Sequence, residues 1–206
     1  MEMTQARPRS YSTWIVLAIV VIIGVMIASS YNSLVRLDQA VQAQWGQVQN
    51  VYQRRADLVP NLVATVKGAA NFEKSTYIAV AQARASVGSI SPQAIQSATT
   101  DPKAFAQFQQ AQDTLGAALS RLLVVVERYP DLKANQNFLT LQAQLEGTEN
   151  RIAVERRRYN EAAQAFNTRR NTFPTAMYAG LFGPRFNDKA YFQATPGSQT
   201  APKVTF

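Results

Sequence analysis

The stretch FLTLQAQLEGTENRIAVERRRYNEAAQAF (residues 138–166) has an apolar side chain at every seventh position. These positions are Phe138, Leu145, Ile152, Tyr159 and Phe166. Because an α-helix completes a turn in about 3.6 residues, side chains seven positions apart lie on nearly the same face. The stretch therefore predicts a long amphipathic helix whose apolar seam packs inside a helix bundle.

Some companion positions of this repeat are polar. Thr148 and Glu155 lie on or beside the seam, which predicts polar partners inside the bundle. A seam carboxylate can have a raised pKa, so Glu155 is also a candidate general acid, although pairing with an arginine is the simpler interpretation. Arg151, four residues earlier, offers it a surface ion pair. Gly147 costs about 1 kcal/mol relative to alanine in a helix, which indicates close approach of another helix.

Three further stretches have helical periodicity, and none after residue 30 alternates like a strand. Their apolar positions are Leu34, Leu37, Val41, Trp45, Val48 and Tyr52, then Leu62, Val66, Ala70, Tyr77, Val80 and Val87, and finally Phe105, Phe108, Leu115, Leu119, Leu122 and Val126. Residues 88–104 and 129–135 are polar connections that contain proline. We expect Asp101 with Pro102, and Asn135, to open the helices that follow.

Pro60 falls between the first two runs. Proline lacks the backbone N–H and clashes with the preceding turn, so it either ends a helix near Asp57 or kinks one long helix. A break gives two helices that match the others in length, whereas an unbroken helix would outrun its partners. We therefore predict an all-α fold, in which a single N-terminal transmembrane helix precedes an antiparallel up-and-down four-helix bundle over residues 31–192.

Residues 13–30, TWIVLAIVVIIGVMIASS, contain no charge. As a helix they extend about 27 Å, close to the ~30 Å hydrocarbon core of a bilayer. The predicted anchor residues are Trp14, Ile15, Val16, Leu17, Ile19, Val20, Val21, Ile22, Ile23, Val25, Met26 and Ile27. The alternative is a cleaved signal peptide with a small-residue site at residues 28–30, but its apolar core would be unusually long.

The flanking charges predict an orientation. Arg7, Arg9 and the amino group outweigh Glu2 in the short N-terminal segment, residues 1–12, so this segment is expected to be cytoplasmic and the bundle outside. At the other end, the aromatic segment 175–192 is expected to fold back over one end of the bundle. Residues 193–206 have the composition of a disordered tail.

The composition excludes several chemistries. With no cysteine and no histidine, the chain has no thiol nucleophile, no Ser-His-Asp triad and none of the ligands that zinc prefers. We therefore predict no cofactor and no metal. A carboxylate-dependent enzyme that uses Glu73 or Glu155 stays open as an alternative.

The net charge of +8 favours contact with lipid headgroups or anionic envelope polymers. Nucleic acid is not an expected partner, because the basic residues are not gathered on one helix face. Arg54 and Arg55 fit either buried ion pairs or exposed anion contacts. The candidate buried polar or interaction residues are Arg54, Arg55, Asp57, Glu73, Glu146, Thr148, Glu149, Arg151 and Glu155.

Four blocks together resemble the LemA family of bacterial membrane proteins: YNSLVRLDQAV (31–41), RRADLVPNLVATVKG (54–68), RLLVVVERYPDLKANQNFLTLQAQLEGTENRIAVERRRYN (121–160) and FPTAMYAGLFG (173–183). The resemblance implies one N-terminal membrane helix, a four-helix bundle and a role in the cell envelope, as a scaffold or as a partner of membrane-bound proteases or signalling proteins. With the predicted orientation, the expected location is the bacterial cytoplasmic (inner) membrane, with the bundle in the periplasm. The resemblance transfers no active-site residue. Where many members carry a His-Glu pair this chain has Phe72-Glu73, so no role of that histidine can operate here.

These inferences predict a non-enzymatic, membrane-anchored envelope protein that acts as a scaffold or interaction partner. The expected partners are membrane lipid, a second copy of the chain, and another membrane or envelope protein such as a membrane protease. The main alternative is a salt-sensitive binding module for anionic headgroups or envelope polymers.

Overall fold

The computed structural model describes residues 11–68 and 72–194, and these residues form helices without any strand. The helices are α1 (Tyr11–Lys67), α2 (Lys74–Gly88), α3 (Pro92–Ser97), α4 (Pro102–Val126), α5 (Pro130–Lys133) and α6 (Gln136–Asn171). Three short 3-10 helices follow at Thr175–Met177, Ala179–Phe182 and Pro184–Phe186. The predicted all-α fold is confirmed. Residues 1–10, and all but the first two residues of the predicted tail, lie outside the described residues.

The two predicted helix starts have the expected caps. The Asp101 carboxylate accepts a hydrogen bond from the Lys103 amide (2.9 Å), and Pro102 occupies the first turn of α4. The Asn135 side chain accepts from the amides of Asn137 (2.9 Å) and Phe138 (3.2 Å), so it caps α6. The connections at 88–104 and 129–135 are not wholly irregular, because they contain α3 and α5.

The four long helices pack in an up-and-down arrangement. α1 packs mainly along α6, α2 packs along α4, and α1 also contacts α2. One half of the core is aromatic and surrounds Trp45, whose ring lies 4.9 Å from Phe108 and 5.5 Å from Tyr159, measured between ring centroids. The other half, farther along α1, is mostly aliphatic, with buried Leu62, Leu115, Leu119, Leu122 and Leu145.

The first helix does not break at Pro60, so that part of the prediction is wrong. α1 continues to Lys67, and Val59, Leu62 and Val66 carry one buried face past the proline. A proline in mid-helix deprives the carbonyl four residues earlier of its partner. Here that carbonyl belongs to Ala56, and it accepts a hydrogen bond from Arg84 Nε of α2 at 3.1 Å. A neighbouring helix therefore satisfies the group that Pro60 leaves free.

α1 is longer than its partners because its first third lies outside the bundle. At 57 residues it extends about 85 Å. The predicted anchor residues lie in the part that is almost wholly exposed, whereas burial of α1 begins at Ser30 and Leu34. Within the described residues, α1 is the one helix that is long and apolar enough to cross a membrane.

The Arg84 contact gives a test of how Pro60 is accommodated. We expect Arg84→Met, which keeps the aliphatic stem, to lower the free energy of unfolding by about 1 kcal/mol, because the Ala56 carbonyl loses its partner. In a Pro60→Ala background the loss should shrink, because the new N–H of residue 60 can bond this carbonyl. Urea denaturation of the detergent-solubilised full chain, monitored by circular dichroism, measures the free energy of unfolding of the wild type, the two single variants and the double variant. An equal loss in both backgrounds would contradict the compensation.

Candidate functional site

A buried arginine joins three helices at the centre of the bundle. Arg55 of α1 is 3% exposed. Its Nη1 atom lies 3.1 Å from Glu149 Oε1 of α6, and its Nη2 atom donates to the backbone and side-chain oxygens of Gln112 of α4, at 2.7 and 2.6 Å. Its guanidinium also lies 5.0 Å from the centre of the Tyr52 ring. We call Arg55, Gln112 and Glu149 the central polar cluster.

Two glycines behave differently around this cluster. A Cβ atom on Gly116 of α4 would lie 3.3 Å from Arg55 Nη1, so the glycine makes room for the guanidinium. Gly147 of α6 is exposed, and a Cβ atom there would meet nothing within 4 Å. The expectation that Gly147 permits a close helix approach is therefore wrong, and Gly116 instead accommodates a side chain from α1.

Four of the candidate residues lie on the outside of the bundle. Arg54 and Arg151 are exposed. Asp57 is exposed and accepts a hydrogen bond from Gln53, four residues earlier, at 2.7 Å. Glu146 is exposed and accepts one from Gln142 at 3.0 Å, also within its own helix. The adjacent arginines 54 and 55 thus have opposite environments.

The two polar residues on the α6 seam find their partners within their own helix. Thr148 is buried, and its hydroxyl donates to the Gln144 carbonyl at 2.7 Å. Glu155 pairs with Arg158 at 2.9 Å rather than with Arg151 or with another helix. Its second oxygen is buried and accepts no hydrogen bond from the described residues. The interhelical partner that the seam pattern suggested belongs instead to Glu149.

Glu73 lies at the start of α2, where it accepts hydrogen bonds from the Ser75 hydroxyl (2.8 Å) and from Arg128 (3.1 Å). The Ser75 bond, together with the positive charge of Arg128, lowers the pKa of this carboxyl below its usual value. A general acid near neutral pH needs a raised pKa. The environment of Glu73 therefore opposes an acid role.

A second ionic cluster, built around a buried carboxylate, lies at the end of the bundle next to the exposed part of α1. Asp38 of α1 is 1% exposed, and its two oxygens lie 2.7 Å from Lys189 Nζ and 2.7 Å from Arg185 Nε. Lys189 also donates to the Arg185 carbonyl at 2.8 Å, and its ammonium lies 4.6 Å from the centre of the Phe166 ring. We call Asp38, Arg185 and Lys189 the proximal ionic cluster.

The aromatic C-terminal segment is attached to α6 by amide side chains. The Asn167 side chain donates to the Lys189 carbonyl at 2.9 Å and accepts from the Lys189 amide at 2.8 Å. Asn160 forms the same pair of bonds with the backbone of Phe192, at 3.0 and 2.9 Å. Segment 175–192 therefore folds back along the bundle instead of extending from it.

Sequence reasoning did not identify the proximal ionic cluster or Gln112. For Asp38 and Gln112, the spacing of the buried residues in α1 and α4 contains a signal that indicates their burial. Leu34, Asp38, Val41 and Trp45 follow steps of four, three and four residues, so Asp38, and not the predicted Leu37, occupies the seam position between Leu34 and Val41. Gln112 falls between Phe108 and Leu115 in the same way. Arg185 and Lys189 lie beyond the last long helix, where no repeat indicates which side chains turn inward.

Metal ligands and cavities are the remaining features of the described residues that bear on chemistry. The described residues contain no group of three or more Asp or Glu side chains arranged to hold a metal ion. A cavity of about 850 Å³ between α4 and residues 188–193 is lined by Asp113 and Asp188. Another, of about 500 Å³, lies between α1, α2 and α4, and no carboxylate lines it. Its lining includes the amides of Gln49, Asn50, Gln53 and Gln112 and the Tyr52 ring. The central polar cluster joins three helices, whereas the proximal ionic cluster joins α1 to the segment after α6.

The fold and these clusters define a class of protein: a helical bundle built onto a helix that can cross a membrane. Residues 44–206 match the LemA family, so the chain belongs to that family, as its sequence blocks indicate. It is similar to Magnetosome protein MamQ 2 of Paramagnetospirillum magneticum, with 28% identity over 92% of this chain and 74% of the relative. It is also similar to Protein LemA of Metamycoplasma hominis, with 26% identity over 72% of this chain and 63% of the relative.

The adjacent arginines 54 and 55 provide a matched test of the central polar cluster. We expect Arg55→Met to lower the free energy of unfolding by about 3 kcal/mol, because it leaves the buried oxygens of Gln112 without their donor. Arg54→Met should change it by less than about 0.5 kcal/mol, because that side chain is exposed. Urea denaturation of the full chain in detergent measures both. Equal effects of the two substitutions would refute the assignment.

Tyr52 gives a test in alkaline solution. Burial raises the pKa of its phenol to about 12, and its hydroxyl has no hydrogen-bond partner within the described residues. The unfolded chain, with a tyrosine pKa near ~10, loses this proton first, so stability falls as the pH rises from about 10 to 12.

We expect Tyr52→Phe to be close to neutral at pH 7 and to reduce this alkaline loss by up to about 1.4 kcal/mol per pH unit. Urea denaturation at pH 9, 10 and 11 measures the difference. Burial also raises the pKa of Tyr159, so Tyr159→Phe should act in the same direction. Parallel pH profiles of wild type and Tyr52→Phe would show that the Tyr52 phenol is accessible to solvent.

Proposed function

We propose that this protein is a membrane-anchored, non-enzymatic scaffold whose bundle engages other proteins, including further copies of itself. The observation that carries the proposal is the continuity of α1. Its exposed apolar part has the length and hydropathy of a membrane span, and the same helix then forms one wall of the core. The bundle is therefore held beside the bilayer without an intervening linker.

The non-enzymatic part of the proposal rests on the ionisable groups. The chain has no histidine and no cysteine, and the two carboxylates with the strongest claim to acid chemistry both have arginine partners. Glu73 pairs with Arg128 at 3.1 Å, and Glu155 pairs with Arg158 at 2.9 Å. For Glu73, the Ser75 hydrogen bond and the charge of Arg128 lower the pKa, so this carboxyl is a poor proton donor near neutral pH.

The proposed location is the bacterial cytoplasmic (inner) membrane, with the bundle in the periplasm. Arg7 and Arg9 precede the span against the single Glu2, and Arg36 and Asp38 follow it as a neutral pair. Short segments rich in arginine stay in the cytoplasm. Membership of the LemA family is in keeping with this location.

The support for self-association lies on the exposed surface of the bundle. Most of the apolar stripes are used in the core, but Val124 of α4 is 71% exposed, and Leu139 of α6 and Ile78 of α2 are also exposed. An anchor confines copies to two dimensions, so weak lateral contacts gain effective concentration. Another membrane or envelope protein, such as a membrane protease, would use the same surface.

Crosslinking in right-side-out vesicles of native membranes tests assembly and orientation together. The bundle exposes the amines of Lys67, Lys74, Lys103 and Lys133, whereas the Lys189 ammonium is buried. We expect an amine-reactive, membrane-impermeant crosslinker to give dimers or larger species. A permeant reagent of the same length is the control.

Three outcomes are distinguishable. Products with both reagents support assembly with the bundle outside. Products with the permeant reagent alone would overturn the orientation but keep the assembly. If the chain stays monomeric with both reagents while a known oligomer in the same vesicles is crosslinked, self-association is wrong.

A further inference from the structure

Large apolar side chains are exposed in the segment that follows α6. Phe173 is 75% exposed, Met177 77% and Leu181 85%, although all three are large hydrophobic residues. They lie within nine consecutive residues, in and beside two short 3-10 helices. A group of exposed apolar side chains that the fold does not bury marks a contact with another surface.

This segment lies at the level where α1 leaves the predicted span. The Tyr178 hydroxyl donates to the Ser30 hydroxyl at 2.7 Å, and Arg169 Nη2 donates to the same oxygen at 3.2 Å. Ser30 is the last residue of the predicted span 13–30 and the first buried residue of α1. If the span occupies the hydrocarbon core, Tyr178 lies at its edge, where tyrosine is enriched in membrane proteins.

Aromatic rings fix the inner side of the segment and leave its outer side free. The Phe182 and Phe186 rings contact Tyr31 of α1, with centroid distances of 5.1 and 5.5 Å. Phe182 also contacts Tyr178, at 5.7 Å. Met177 and Leu181 come immediately before the two residues that face α1, and both are exposed. The packed rings therefore hold the backbone that carries the exposed side chains of Met177 and Leu181 in place.

The charge of this end of the bundle is positive. Within the first turns of α1 after the span, the last turn of α6 and the segment up to residue 189, the basic residues are Arg36, Arg169, Arg170, Arg185 and Lys189, and the acidic ones are Asp38 and Asp188. Arg185 and Lys189 share one carboxylate, Asp38. The excess cations complement anionic headgroups, which attract basic residues next to a membrane span.

We propose that residues 173–182 form a second membrane contact of this chain. Phe173, Met177 and Leu181 enter the interfacial region of the same leaflet from which α1 emerges, and the neighbouring arginines face its anionic headgroups. This inference rests on the proposed anchoring by α1. The occupant is lipid rather than a protein because the contact to Ser30 holds the segment against the bilayer surface.

The proposed contact gives the bundle a fixed orientation. A single helix can tilt and rotate in a bilayer, whereas a helix together with a side contact defines a preferred face and tilt. The surfaces of α2 and α4, which lie on other sides of the bundle, would then be presented consistently to a partner.

The absence of cysteine allows a clean test with single labelled positions. Leu181→Cys, Leu17→Cys and Val124→Cys of the full chain are labelled with an environment-sensitive fluorophore and reconstituted into vesicles of phosphatidylcholine and phosphatidylglycerol. The vesicles carry a nitroxide quencher on a shallow acyl position. Leu17 reports the span, and Val124 is an equally apolar, exposed position at the far end of α4.

We expect blue-shifted emission and strong quenching at 17 and 181, but neither at 124. If the label at 17 is quenched but the label at 181, like that at 124, shows neither blue shift nor quenching, the second contact is wrong and the anchoring stands. No quenching at 17 would overturn the anchoring and the inference with it. A blue shift at 181 without quenching would identify a second copy of the chain as the occupant, which also contradicts the proposal.

A second variant checks that the apolar side chains cause the effect. Phe173→Ser with Met177→Ser should weaken quenching at 181 without changing the helix content, because both side chains are exposed. Undiminished quenching in this variant would show that the segment merely lies near the surface, contrary to the proposal.

Discussion

The continuous burial of one face of α1 is the constraint on which the rest of the structure depends. From Leu34 to Val66 the buried residues of α1 follow alternating steps of four and three residues, and Pro60 does not interrupt this pattern. This pattern keeps one seam of the helix facing its neighbours over the whole bundle. α6 covers this face along most of its length, while α2 and α4 complete the aliphatic half of the core.

Two charged residues occupy positions on this seam, and each selects particular neighbours. Arg55 requires the oxygens of Gln112 and Glu149, so α4 and α6 must adopt one register relative to α1. Asp38 requires Lys189 and Arg185, so the chain after α6 must return to α1. Buried ion pairs contribute little net stability compared with apolar packing, but an unmatched one is costly. Both pairs therefore act against alternative arrangements of the helices.

Periodicity in the sequence predicted the helical fold, the preference of Asp and Asn for the N-cap position predicted the caps at Asp101 and Asn135, and the run without charge predicted the apolar part of α1. The predicted break near Asp57 followed from the intrinsic preference of proline and from matched helix lengths, but Arg84 of another helix supplies the donor that the Ala56 carbonyl lacks. The partners of Arg55 could not be predicted for the same reason. Spacing within one helix shows which side chains share a face, but it carries no information on the register between helices separated by many residues.

The same limitation applies to the segment after α6, whose structure depends on contacts rather than on a repeat. Its backbone forms hydrogen bonds with the side chains of Asn160 and Asn167, and Lys189 forms an ion pair with Asp38. Its Phe182 ring packs against Tyr31. Because α1 runs through both the apolar part and the bundle, each residue along it turns by about 100°. The rotational position of the exposed helix relative to the bundle is therefore fixed by the unbroken helical backbone of α1. Any contact made by the bundle beside Ser30 consequently has one defined direction relative to the exposed apolar part of α1.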